Sequence, residues 1–196
     1  MVFYQETSEN FLFNNFTALL RPNTPKLNSR FLFTFLFVTY WNGGTKLYEN
    51  KTTGIHNLKL ADYLDNTMMP IPPIEDQEVF AAFVEQSDKS QFMEQFNLSQ
   101  AESNGWSIVP VSSVVIKPLS GEWGQEDTDG TGVKVLRTTN FTDSGFIDYS
   151  EVVRRSIELK KVEAKALRDG DVLIEKSGGS DTKPVGRVVF YPLSTT

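Results

Sequence analysis

Prolines 70, 72 and 73 rule out a helix across residues 68–74, because each lacks a backbone donor and forces extension on its neighbourhood. This short stretch is a rigid exit that divides the chain. Glu75 and Asp76 follow it and place negative charge where a helix dipole favours it. The spacing predicts a helix over residues 76–97, with Val79, Phe80, Phe83, Val84, Met93 and Phe96 as an apolar stripe. Polar residues 86–91 interrupt that stripe. An acidic helix of this kind suits a partner helix better than a phosphate backbone. Three segments result: 1–74, a helical spacer with linker at 75–105, and 106–196.

Both flanks read as sheet. Phe11-Leu12-Phe13 and residues 16–20 are apolar runs around Asn14-Asn15, closed by Arg21-Pro22-Asn23. Asn23-Thr24-Pro25 has the form of a helix start, predicting a helix over 26–41 that Asn42-Gly43-Gly44 stops. That helix is apolar nearly all round, so it belongs in the core. Residues 60–66 read as a short helix or turn and 98–105 as a polar linker. In the last segment, 106–111, 133–136 and 145–149 read as strands, 121–124 and 127–132 as turns, and 156–168 as a charged helix. The expected fold class is α+β, with a mixed or antiparallel sheet and one long helix.

The stretch 167–191, LRDGDVLIEKSGGSDTKPVGRVVFY, carries two short β-branched and aromatic runs around a polar connector. In the connector, Gly178 and Gly179 let backbone approach a ligand closely. Lys176, Lys183 and Arg187 could reach phosphates; Ser177, Ser180 and Thr182 could donate to phosphates or base edges. The same composition also describes a flexible hairpin loop with a solvated surface. His56 is the sole histidine. Beside Ile55 and Leu58, and without a ligand cluster at metal spacing, it reads as structural more readily than as a metal ligand.

A chain of 196 residues can bury one good core or two small ones. The absence of cysteine excludes a disulfide scaffold and any Cys-based zinc site. The N-terminus has neither the basic region nor the cleavage pattern of a signal peptide, and the longest apolar run, 31–41, is too short to span a bilayer. A cytoplasmic protein without membrane contact is the expectation. The net charge of −6 argues against non-specific nucleic-acid binding but leaves room for local basic sites, at 51–59 and 176–187.

In order along the chain, NNFTALLRP at 14–22, KTTGIHNLK at 51–59, IPPIEDQ at 71–77, the Trp106-led VPVSSV, GEWG at 121–124, VLRTTNF at 135–141, GFIDY at 145–149 and GDVLIEKSGG from 170 form a set. The set resembles the specificity subunits of type I restriction–modification systems and covers nearly the whole chain. The order departs from a whole target-recognition domain of that family. Here the domain's second half comes first, then the spacer helix, then the first half. Val2-Phe3-Tyr4 also repeats Val189-Phe190-Tyr191. The chain therefore resembles either the middle of a longer subunit or a circularly permuted half-subunit.

The resemblance implies a non-catalytic DNA-recognition subunit whose spacer helix docks methyltransferase subunits of a complex that also holds restriction subunits. Double-stranded DNA is the implied ligand, with no cofactor and no metal. The cationic, hydroxyl, amide and glycine residues at turns of these motifs are the candidate DNA contacts: Lys51, Thr52, Thr53, His56, Asn57, Arg137, Thr138, Thr139, Asn140, Lys176, Ser177, Gly178, Gly179, Ser180, Lys183 and Arg187. Phe80, Phe83, Val84, Met93 and Phe96 are the candidate partner face. No methyltransferase motif, glycine-rich cofactor loop or phosphate-binding loop accompanies them. A truncated interaction module without DNA binding is the alternative. A straight helix of about 22 residues spans roughly 33 Å. That length would hold 1–74 and 106–196 too far apart to complete one sheet, which predicts a homodimer by segment exchange; the alternative is a bend near Ser87-Asp88-Lys89-Ser90, where the stripe fails, that lets one chain close on itself.

Overall fold

The computed structural model describes residues 10–52, 54–86 and 98–192, and the fold is α+β. Strands β1 (Phe11–Phe13) and β2 (Thr17–Leu20) flank a turn in which the Thr17 N–H and hydroxyl both donate to the Asn14 carbonyl. Helix α1 is Ser29–Trp41. It starts later than the Asn-Thr-Pro signal because Asn28 is the cap, its side chain accepting from the N–H groups of Arg30 and Phe31. Phe31 to Val38 are all buried, as an all-round apolar helix requires.

The chain continues through β3 (Glu49–Thr52), β4 (Ile55–Leu58), α2 (Leu60–Asn66), β5 (Met68–Ile71) and α3 (Ile74–Gln86). The expected helix over 76–97 is thus seen from Ile74 to Gln86; its remainder, residues 87–97, lies outside the described residues. Residues 98–103, expected as linker, are instead helix α4 (Leu98–Ser103), seated by the buried Ala101. Then come β6 (Ser107–Pro110), β7 (Leu119–Ser120), β8 (Gln125–Glu126), β9 (Val133–Leu136), β10 (Val153–Ser156), α5 (Leu159–Lys165), β11 (Val172–Glu175), β12 (Ser177–Gly178) and β13 (Val188–Phe190).

Two expectations fail in this half. Residues 145–149 form no strand beyond one isolated bridge, Phe141 with Ile147. Gly145 (φ 79°) turns the backbone onto α1, where a Cβ would meet the rings of Phe33 and Phe37 at 2.7–2.9 Å. The charged helix is shorter than 156–168, because Val153–Ser156 pairs with β9 and β8 as strand β10.

Among the described residues four sheets are formed, ordered β1-β9-β10-β8, β13-β11-β2-β7, β12-β4-β3 and β5-β6. Pairing β1–β9 is parallel and the others are antiparallel. The β13-β11-β2-β7 sheet is the centre of the molecule. Alternation along its strands sends Ala18, Leu20, Val172, Ile174, Val188 and Phe190 toward α1, and Leu19, Leu173 and Val189 toward a second core with Phe13, Leu136 and Phe141. Being buried on both faces explains why 172–174 and 188–191 read as unbroken apolar runs. Each such side chain contributes about 1.5–3 kcal/mol by leaving water. At one end of β11 the buried Asp171 takes a bidentate bond from Arg21, 2.6 and 2.7 Å.

Every one of these sheets joins a strand from residues 11–71 to one from residues 107–190. The span of the spacer helix therefore does not hold the two segments apart. Strand β5 before α3 pairs directly with β6 after α4, Met68 opposite Pro110 and Ile71 opposite Ser107. Helix α4 packs on both strands. One chain completes its own sheets.

Candidate nucleic-acid interface

The connector after β11 is pinned, not loose. The Lys176 N–H donates to the Phe16 carbonyl (2.7 Å), and the Lys176 carbonyl accepts from the Leu58 N–H (2.8 Å). Ser177 and Gly178 then pair with Asn57 and His56 across β12–β4, and the Ser177 hydroxyl donates to Asn57 Oδ1 at 2.6 Å. Gly178 (φ 142°) and Gly179 (φ 69°) adopt backbone that L side chains rarely take. Ser180 and Lys183 close a turn, the Ser180 N–H donating to the Lys183 carbonyl and the Lys183 N–H to the Ser180 hydroxyl. The returning strand is held by the Val185 N–H on Glu49 Oε1 (2.8 Å). The β3–β4 hairpin and the 176–187 connector thus form one ridge from segments more than a hundred residues apart.

Along the ridge, Lys51 bonds Asp181 (2.7 Å), and this contact holds the Asp181 carboxyl below its usual range and the Lys51 ammonium above its own. His56 is buried between Glu49 and Asp181, with ring nitrogens 3.4 and 3.6 Å from their oxygens. Its role is to back the ridge, and its imidazole is not presented to a ligand. Among the described residues no cluster of three His, Cys, Asp or Glu could hold a metal. Thr52 lies in β3; Thr53 lies outside the described residues.

The 137–140 turn joins this ridge through its carbonyls. Arg187 donates to the Thr138 and Phe141 carbonyls (both 3.2 Å) and makes two bonds to the buried Glu175, 3.1 and 2.9 Å. Arg187 is therefore corrected from a phosphate ligand to a structural clamp: its fork is fully turned inward. Its charge is held more firmly than usual, chiefly by the Glu175 bond. Asn140 is corrected likewise. Its Oδ1 accepts from the Arg137 N–H, and its amide donates to the Asp148 and Glu151 carbonyls, so it builds the turn. Arg137 is half-buried and donates to the Glu151 carbonyl (3.1 Å), while Thr139 is exposed. Lys183 reaches across to Asp143 (2.7 Å).

Lys176 differs from the other lysines. Its Nζ donates to the Ser120 hydroxyl (2.8 Å) on β7, and burial, followed by repulsion from Lys165, pushes the ammonium below the usual lysine range. Nearby, Lys161 (3.5 Å) and Lys165 share the Glu122 carboxylate, which they hold below its usual range, Lys165 most of all. Ser120 and Lys165 were not singled out in the sequence. The i,i+4 spacing of Lys161 and Lys165 is visible there, but only the register of β7 on β2 brings Ser120 to Lys176 and Glu122 to the Lys161–Lys165 pair.

The candidate partner face is divided. Phe80 and Val84 are buried, Phe80 edge-on to Phe31 at 5.5 Å, so both are corrected from partner contacts to core. Phe83 and Val79 are 54% and 72% exposed on the other side of α3. Met93 and Phe96 lie outside the described residues. Gln77 is wholly buried at the start of α3, accepting from the Asn28 N–H and donating to the Lys26 and Pro72 carbonyls, 2.8–2.9 Å. It ties the proline exit to the α1 cap.

No helix of the described residues is long and apolar enough to cross a membrane. The chain matches no known protein family, no curated protein and no solved structure.

Proposed function

We propose that this chain is a non-catalytic DNA sequence-recognition protein of the type I specificity-subunit kind, acting in the cytoplasm with methyltransferase and restriction subunits. The observation that supports it most is the single ridge built from the 49–58 hairpin and the 176–187 connector, with the 137–140 turn attached through Arg187. Two motifs named on resemblance alone meet there. Lys51, Thr139, Ser180 and Lys183 are among its exposed polar side chains, suited to phosphate and groove contacts. Lys51 and Lys183 already meet Asp181 and Asp143, but exposed ion pairs contribute little in water, so a phosphate can replace the carboxylate.

Those same carboxylates favour a second reading, an interaction module that does not bind DNA. An electrophoretic shift on a pool of random-sequence duplexes, with and without a methyltransferase subunit, separates the two. Enrichment of a sequence subset supports recognition; no retarded DNA in either lane supports the module. In solution the closed sheets lead us to expect a mass near 22.1 kDa by light scattering.

A further inference from the structure

We infer that Lys176, Ser120 and Lys165 form a seat for one backbone phosphate of duplex DNA, at the β7 edge of the central sheet. This inference rests on the DNA-recognition reading and deepens it. Lys51, Lys183 and Arg187 each meet a carboxylate. Lys176 meets a neutral hydroxyl instead, although it is half-buried. An ammonium partly removed from water without counter-charge is costly, and an anion that arrives there relieves the cost.

The surroundings sharpen the choice of anion. Lys161 and Lys165 share the one carboxylate of Glu122, and the Lys165 charge lies near enough to repel the Lys176 ammonium. The cluster is thus locally positive on a chain whose net charge is −6. Its main chain is fixed in advance. Lys176 is tied on one side to Phe16 and on the other to Leu58, and its side chain crosses the end of β2 to an edge strand two residues long. Lysine suits this role because it presents a point charge with three donors and demands no planar partner. Such a contact fixes register on the duplex and carries no sequence information.

The test titrates fluorescently labelled duplexes with the full chain, and with its methyltransferase subunit, over a range of salt. Lys176→Gln is expected to weaken binding roughly tenfold, equally on all sequences, and to lower the salt slope by about one. Ser120→Ala is expected to weaken binding about threefold with the slope unchanged. Lys165→Gln provides a route that leaves the half-buried position intact; removing the second positive charge of the seat should also lower the slope. Unchanged affinity and slope in both lysine variants, while wild type binds, would overturn the seat and leave the DNA reading standing. Failure of wild type to bind any duplex in either form would overturn that reading and the seat with it.

Discussion

Glu175 and Lys176 are neighbours, yet they anchor opposite kinds of site. Extended chain sends them to opposite sides. Glu175, 1% exposed, faces inward and captures Arg187, which in turn ties down the 137–141 turn. Lys176 faces the β7 edge and, among the described residues, meets the Ser120 hydroxyl. The difference teaches that a cation's presence in a polar connector does not decide its use. Arg187 and Lys176 were equivalent candidates by composition; the strand's alternation makes one a clamp and leaves the other without counter-charge.

The sharpest way to break this contrast is Arg187→Met. It strands a buried carboxylate, and the expected loss is about 3–5 kcal/mol in urea unfolding. A loss below about 1 kcal/mol would show that Glu175 has another solution and that Arg187 is not a clamp. Next comes Gly121→Ala, beside the seat. A Cβ there would meet the carbonyl oxygens of Phe13 and Asn14, so β7 must shift and carry Ser120 away from Lys176. About 2–3 kcal/mol is the expected cost, from backbone displacement in a packed edge.

The pH dependence of Lys176→Met tests the other half. Because the folded ammonium titrates below its unfolded value, the unfolded chain binds more protons between the two values, so wild-type stability gains from this residue as pH rises toward 10.5. The variant should equal or exceed wild type in Tm at pH 7, and the margin should shrink by pH 10. The smallest effect is expected for Lys183→Ala, whose pair with Asp143 is more than half exposed on both sides; a loss below about 1 kcal/mol in the same unfolding assay is expected.

The fold was legible where periodicity and punctuation agreed. Runs at 11–13, 172–174 and 188–190, the all-apolar helix ending at Trp41, and the extended proline stretch all stand where the residues put them. Boundaries set by tertiary bonds were not. Asn28 caps α1 partly because Gln77, from another segment, holds its backbone N–H. Strand β10 is polar by sequence, VRRS, and is a strand because β9 and β8 flank it. The ridge was legible residue by residue, since Lys51, Asn57, Ser177 and Ser180 do gather there. What could not be read was charge pairing: Asp143, Glu122 and Glu175 reach their lysine and arginine partners only through sheet register. Phe80 and Phe83 show the same limit, three positions apart on one stripe yet buried and exposed respectively.

The interleaving of early and late strands has a consequence for how the molecule is made. During synthesis α1 and the β3–β4 hairpin can form early, because their bonds are local. Strands β1, β2 and β5 cannot pair until residues 107–190 exist, so their apolar edges wait through the making of the intervening chain. Parallel pairing of β1 with β9 adds a slow, long-range closure. Folding is therefore expected to be late, dominated by non-local contacts, and most vulnerable to aggregation just before the β11 segment arrives to sit between β2 and β13.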